Sequence, residues 1–240
     1  MVFRTIITWL FGLLITFFIF PIVILTSIFD RSGNSAHYIG RIWARIILFL
    51  SGVSVNIKGI ENILNTPQIF VSNHQGAFDI LALQAYLPAQ FRWLAKKSLF
   101  KIPIIGWTMS IAGYVPIDRK HAGSAYHGLE KAAEKLKSGT SILIFPEGTR
   151  SRTDELLPFK RGGFVLAANT AFPITPISIT GTRDIMKRDS IFIRPARVSV
   201  NIGKPIMPQD MNDKSLLEIA KKSIQDGLCS IRQPEQTAGG

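Results

Sequence analysis

The sequence predicts an α/β domain, with a central, largely parallel β-sheet flanked by helices, entered through a two-helix membrane element at the N-terminus. Two patterns carry this expectation. Beyond Gly52, short β-rich runs interleave with helical stretches, and such alternation favours parallel strands joined by crossover helices. Before Gly52, one long apolar run is followed by one amphipathic run. The expected division therefore falls between a membrane-associated segment, residues 1–52, and a soluble α/β domain, residues 53–240.

The first element is the apolar run at residues 5–29. At about 1.5 Å per residue, a helix of that length can cross a hydrocarbon core of about 30 Å. Pro21 falls inside the run and predicts a kink, so a full span and a segment that dips in and re-emerges both fit. A cleaved signal peptide fits less well. Only Arg4 charges the front, and Thr26-Ser27-Ile28-Phe29 lacks a small-x-small site. A second helix, residues 36–50, sets Arg41 and Arg45 one turn apart among Ile42, Trp43, Ile46, Ile47 and Phe49. That pattern predicts a helix at the membrane interface, its arginines reaching toward head groups. If the first helix spans, Arg31, Arg41 and Arg45 outweigh Arg4 and put the remainder on the cytoplasmic side.

The expected strands are residues 53–57, 68–71, 91–95, 141–145, 174–179 and 198–202. The best-defined soluble helix covers residues 124–137, with Leu129, Ala132, Ala133 and Leu136 on one side and Ser138-Gly139 as its stop. A last amphipathic helix is expected at residues 213–228, before a frayed polar tail at 233–240.

A formal net charge of +12 implies a basic surface suited to nucleic acid, anionic lipid or a phosphorylated small molecule; charge alone does not choose among them. The single cysteine, Cys229, excludes a disulfide within the chain and fits a reducing compartment. No Cys/His signature surrounds it, so it reads as a small filler on a helix.

Asn73-His74-Gln75-Gly76-Ala77-Phe78-Asp79 follows directly on an apolar strand and leads into a helix beginning near Gly76. His74 is thereby set at the carboxyl end of a strand, where open α/β sheets bind ligands. The positive end of the helix favours an uncharged ring able to accept a proton. Asp79 is placed to hydrogen-bond the ring's other nitrogen and fix its tautomer. On spacing alone, a helix-capping histidine with an unrelated surface aspartate reads equally well.

Phe145-Pro146-Glu147-Gly148-Thr149-Arg150-Ser151 ends a second buried strand abruptly in a polar turn. Gly148 admits close backbone approach, Thr149 and Ser151 offer hydroxyls, and Arg150 presents a fork suited to phosphate. Lys160, Arg161 and a glycine pair follow at the start of another helix, again favourable to an anion. Phosphate binding is the simplest account of this clustering. Gly113-Tyr114-Val115-Pro116-Ile117-Asp118-Arg119 is a third strand-to-polar switch, ending in another arginine.

NHQGAFD, GYVPIDR, FPEGTRS and ITPISI stand in the order and spacing of the four motifs of the glycerolipid acyltransferases. The chain resembles the bacterial 1-acyl-glycerol-3-phosphate (lysophosphatidic acid) acyltransferases over about residues 53–205. The resemblance implies the glycerolipid acyltransferase α/β fold and lysophosphatidic acid as acceptor. It implies acyl-CoA or acyl carrier protein as donor substrate, with no further cofactor, and phosphatidic acid as product. Residence at the inner membrane, in contact with anionic lipids and facing the cytoplasm, is expected from the apolar segment and the basic charge. Carried over, His74 is the general base, Asp79 its orienting partner, and Arg119, Glu147, Gly148, Thr149 and Arg150 shape the glycerol phosphate site. Lys97, in a segment that the family sets beside the reacting carbonyl, is a candidate oxyanion stabiliser. Lys160 and Arg161 join the anion site from charge and position alone. Thr175 departs from the fourth motif, where an apolar residue is expected before Pro176.

Rival chemistries find little support. No G-x-S-x-G elbow occurs, and His37, His121 and His127 show no zinc-site spacing, so neither a serine hydrolase nor a metal site is expected. A non-catalytic basic protein bound to membrane or nucleic acid explains the charge but leaves His74-Asp79 and FPEGTRS as coincidence. No nucleic-acid partner is therefore expected.

Overall fold

The computed structural model describes residues 1–118, 122–187 and 189–237. The apolar run forms helix α1 (Val2–Phe29), which continues through Pro21. Among the described residues it is the one helix long and apolar enough to cross a membrane, with a mean hydropathy of 2.5. One stripe of it is fastened to the rest of the molecule along most of its length. Ile193 N donates to Thr5 Oγ1 (3.0 Å) and Trp9 Nε1 to Ile191 O (2.9 Å). Trp43 Nε1 donates to Thr16 Oγ1 (2.9 Å), and the rings of Phe20 and Trp107 lie 5.7 Å apart. The other face, including Phe3, Leu13, Phe17, Phe18 and Phe29, is exposed.

Helix α2 (Asn34–Ser51) ends where Gly52 turns left-handed (φ 67°) and its N–H closes onto Leu48 O and Phe49 O. Beyond it, strands β1 (Val53–Lys58), β2 (Ile69–Ser72), β3 (Phe91–Lys96), β4 (Val115–Ile117), β5 (Ser141–Ile144), β6 (Ile174–Thr180) and β7 (Ala196–Ile202) form one sheet. Their spatial order is β1-β7-β6-β2-β5-β3-β4. From β6 to β4 all neighbours run parallel, whereas β7 is antiparallel to β6. Strand β1 runs parallel to β7. The connecting helices are α3 (Phe78–Tyr86), α4 (Ile105–Ile111), α5 (Ala122–Lys137) and α6 (Gly162–Thr170), and α7 (Asp213–Thr237) closes the fold.

The central strands β2 and β5 are buried throughout, as a parallel strand covered on both faces requires. Alternate side chains feed two cores. Phe70 and Leu143 join Ala44, Leu48, Phe78 and Leu83 on the side of α2 and α3. Ile69, Val71, Ile142 and Ile144 join Leu136, Phe164, Leu216 and Ile224 on the side of α5, α6 and α7. Each of the larger side chains contributes about 1.5–3 kcal/mol on leaving water, and a one-residue slip would exchange the two sets. The burial pattern therefore fixes the register of β2 and β5 and the core that each side chain enters.

Two expectations are corrected, and one helix is added. Arg41 and Arg45 do not reach toward head groups. Arg41 Nη2 donates to Leu87 O (2.5 Å) and Arg45 Nε to Ala85 O (3.1 Å), because the last carbonyls of α3 lack helical partners and carry its negative dipole end. Helix α7 runs past residue 228 to Thr237, and Arg232 anchors the extension by donating to Asp154 O (3.0 Å). Helix α4, which sequence patterning did not indicate, is short and carries exposed Ile105 and Trp107 beside α1.

Candidate active site

The parallel strands bring the ends of β2, β3 and β5 to one edge of the sheet. Asn73 sets the exit from β2. Its Nδ2 donates to Ile179 O (2.9 Å) and its Oδ1 accepts from Ile179 N (2.8 Å), so one side chain extends the pairing with β6 after the strand has stopped. His74 is thereby held at the mouth of the sheet, its side chain 13% exposed while that of Asp79 is fully buried.

Asp79 organises this turn. Its Oδ2 accepts from His74 Nδ1 (2.7 Å), Gln75 N (2.6 Å) and Gly76 N (2.9 Å), and its Oδ1 accepts from the hydroxyl of buried Thr182. Gly76 is required by close approach, since a Cβ there would stand 2.5 Å from Thr182 O. With Nδ1–H donating to the carboxylate, Nε2 keeps its lone pair and has no protein partner among the described residues. One face of the ring stacks on Phe145 at 4.1 Å and 10°, and Trp93 backs Phe145 at 5.4 Å. Trp93 Nε1 in turn donates to Gln84 Oε1 (2.8 Å). The imidazole is thus fixed by one edge and one face, and its remaining nitrogen is left without a protein partner among the described residues.

The FPEGTRS turn lies against the same histidine. Ser151 N donates to His74 O (2.8 Å), which brings Arg150 within one residue of His74's backbone. Glu147 is buried, its Oε1 accepting from His74 N (2.6 Å) and its Oε2 from Leu157 N (3.0 Å). Burial pushes the Glu147 carboxyl above the usual range, opposed by those two hydrogen bonds. Glu147 therefore braces two loops and does not face outward. Gly148 adopts φ 73°, and Thr149 is exposed. Arg150 is half-buried and makes no ion pair among the described residues.

Ser151 is not available to a ligand, because its hydroxyl donates to Thr153 O (3.0 Å) and Glu155 O (2.9 Å) within its own loop. Lys160 is exposed, and its backbone N–H donates to Pro146 O (2.9 Å), which ties it to the same turn. Arg161 corrects its assignment to the anion site: its guanidinium pairs with Asp213 at 2.6 Å, at the start of α7. That hydrogen-bonded carboxylate holds the Arg161 guanidinium above its usual range, and the Arg161 partner holds Asp213 below its own. Lys97 opens the short turn after β3, exposed on the same edge of the sheet as His74. Arg119 and His121 lie outside the described residues. Thr175 is fully buried and donates to Gln68 Oε1 (2.5 Å), which explains a hydroxyl where an apolar residue was expected.

An apolar cavity of about 170 Å³ adjoins this edge, lined by Leu94, Ile117, Leu129, Ile144 and Phe145, with Lys160 beside them. Phe145 thus touches both His74 and the cavity. Thr182, Phe145 and Trp93 were not selected from sequence as site residues. Thr182 in particular lies beyond all four motifs, and no local pattern marks it.

The family model described as Acyltransferase matches residues 54–180, more than half of the chain. A chloroplastic 1-acyl-sn-glycerol-3-phosphate acyltransferase from Arabidopsis thaliana is 40% identical over 189 residues, 78% of this chain and 52% of that protein. A 1-acyl-sn-glycerol-3-phosphate acyltransferase from Cocos nucifera is 33% identical over 213 residues, 87% of this chain and 68% of that protein. The chain thus spans about half the length of the plant chloroplast relatives it matches, and about two thirds of others. The crystal structure of the 1-acyl-sn-glycerophosphate acyltransferase PlsC from Thermotoga maritima superposes with a TM-score of 0.83 at 25% identity, covering 96% of this chain and 95% of that one. Motif order, an edge-of-sheet histidine paired with a buried aspartate, and these likenesses agree: the chain belongs to the acyltransferase family.

Proposed function

We propose that the chain transfers a fatty acyl group from acyl-CoA or acyl carrier protein to the sn-2 hydroxyl of 1-acyl-glycerol-3-phosphate, giving phosphatidic acid. The observation that carries this reading is the 2.7 Å bond between His74 Nδ1 and Asp79, which leaves Nε2 open beside the turn that bears Arg150. The names of the relatives support the acceptor. His74 Nε2 takes the proton of the acceptor hydroxyl as its oxygen attacks the thioester carbonyl, forming a C–O bond and a tetrahedral oxyanion. Asp79 stabilises the imidazolium formed in that step. The oxyanion collapses, the C–S bond breaks, and the imidazolium returns its proton to the departing thiolate. No covalent acyl-enzyme is required.

Arg150, Gly148, Thr149, Lys160 and Arg119 hold the phosphate in this reading, and Lys97 faces the oxyanion. The cavity beside Phe145 offers apolar surface to a hydrocarbon chain. Residues 1–52 act as the membrane-attaching unit and residues 53–240 as the catalytic one, on the cytoplasmic face of the inner membrane. Fastening of α1 at Thr5, Trp9, Thr16 and Phe20 favours a helix that stays against the body over one that leaves it to cross.

The test is transfer from labelled acyl-CoA and acyl carrier protein to a panel of acceptors. Lysophosphatidic acid should be preferred over glycerol phosphate and over lysolipids without a terminal phosphate. Arg150→Ala should raise the lysophosphatidic acid concentration needed for half-maximal rate by about tenfold or more, the scale of a charge-assisted hydrogen bond. Equal use of acceptors that lack the terminal phosphate would remove the phosphate contact from the account.

A further inference from the structure

A second group of cations occupies the opposite edge of the sheet. Because β2, β3 and β4 run parallel, the residues that enter β3 and β4 lie away from His74, which follows β2. Arg92, near the start of β3, is 1% exposed. Its Nη1 donates to Gln90 Oε1 (3.2 Å) and Phe91 O (3.0 Å), and its Nη2 to Ser32 O (3.0 Å) and Asn34 Oδ1 (2.6 Å). All four acceptors are neutral. No carboxylate forms an ion pair with it among the described residues, and Asp30 attracts it only from farther off. Its Nε–H is buried without an acceptor. A buried guanidinium that lacks both a counter-charge and one hydrogen bond is a costly arrangement, and something of opposite charge would relieve it.

The space next to that Nε is furnished for an anion. Gly113 holds φ 71°, and a methyl group there would stand 3.2 Å from Lys135 Nζ and 3.5 Å from Arg92 Nε. Lys135 Nζ and Arg92 Nε therefore both stand against Gly113, where the missing side chain lets two cations approach one stretch of backbone. Gly113 forms part of the wall of a groove of about 350 Å³ between α4 and α5, whose lining also carries Lys131, Lys135, Ser110 and one carboxylate, Glu134, while Arg92 lies buried behind Gly113. Neither lysine is ion-paired among the described residues, so the groove holds an excess of positive charge.

We propose that this groove is a second anion site, distinct from the His74 cleft, which takes a phosphoryl group between Lys131, Lys135 and the Nε–H of Arg92. The flexible Lys135 side chain swings from Gly113 to admit the ligand, and the anion then supplies the acceptor that Arg92 lacks. Arg92 also grips Ser32 and Asn34 in the turn between α1 and α2, so an occupied groove stiffens the junction of the membrane helices with the sheet. Free phosphate and the phosphate of a lipid head group share the required chemistry.

The experiment uses the full chain in neutral detergent, with Arg150→Met in every sample to silence the proposed substrate contact. Inorganic phosphate, titrated at constant ionic strength, should raise Tm saturably. Lys131→Met/Lys135→Met should weaken the apparent affinity by about tenfold or more. Lys214→Met/Lys222→Met, which removes the same charge from α7, should leave it unchanged. A parallel arm replaces phosphate by phosphatidylglycerol in phosphatidylcholine vesicles. A response to phosphate identifies a soluble ligand, and a response to the vesicles alone identifies a head group. No response in either arm, or one retained by the Lys131/Lys135 variant, overturns the proposal. Every sample carries Arg150→Met, so a loss confined to the Lys131/Lys135 variant does not depend on the acyltransferase reading.

Discussion

Two buried polar clusters at opposite edges of one sheet are finished to different degrees. Around Asp79, both carboxylate oxygens are engaged, by His74, Gln75, Gly76 and Thr182. Around Arg92 and His37, a guanidinium Nε and an imidazole Nε2 are buried without partners. Satisfied networks are rigid, and unsatisfied ones keep a stake in whatever can still bind or move. The His74 edge is built to hold one geometry, whereas the other edge leaves two buried nitrogens open, with His37 wedged against Phe91 at 4.7 Å.

The largest effect should come from disturbing the finished cluster at its centre. Asp79→Asn offers an amide N–H that His74 Nδ1 can accept, so the His74 tautomer is no longer fixed. The acyl-transfer turnover number should fall about 10² to 10⁴-fold, with the acceptor requirement changing far less. A loss under about tenfold would mean that the carboxylate is not orienting the base.

The unfinished cluster should reveal itself by acid. Burial, aided by the charges of Arg92 and Arg41, lowers His37 from 6.5 to about 3. Below pH 6.5 the unfolded chain takes up a proton that the folded chain refuses, so stability present above that value is lost as pH falls toward 3. The loss should reach about 2 kcal/mol at pH 5, seen as a decline in Tm between pH 7.5 and 5. His37→Gln should flatten that decline, and an equal decline in the variant would show that another group titrates. The smallest effect is the sharpest. Thr182→Val removes one hydroxyl from Asp79 and should lower turnover about tenfold, with Thr182→Ser restoring most of it. A valine variant at full rate would show that the dyad does not need its third partner.

Much of this division was legible in the residues. His74 and Asp79 are close in sequence, and one strand-to-helix turn brings them together, so local spacing was enough. The alternating burial of Ile69, Phe70 and Val71 likewise follows from short-range pattern. What escaped notice depends on contacts across the fold. Thr182 meets Asp79 from 103 residues away, and Phe145 stacks on His74 from a neighbouring strand. The arginines of α2 looked like membrane anchors because nothing local shows that the carbonyls at the end of α3 await them. Arg161 looked like a phosphate ligand for the same reason, its partner Asp213 being distant in sequence. Charge can be read from a sequence, but which charges are already spoken for cannot.

The central claim is that an imidazole fixed by Asp79 and Phe145 removes the acceptor's proton. It is tested most directly by acyl transfer from labelled acyl-CoA to lysophosphatidic acid, comparing the unaltered chain with His74→Ala under saturating substrates. The account predicts a turnover number lower by about 10² to 10⁴-fold, with binding to anionic vesicles retained. Most of the activity surviving in His74→Ala would contradict it.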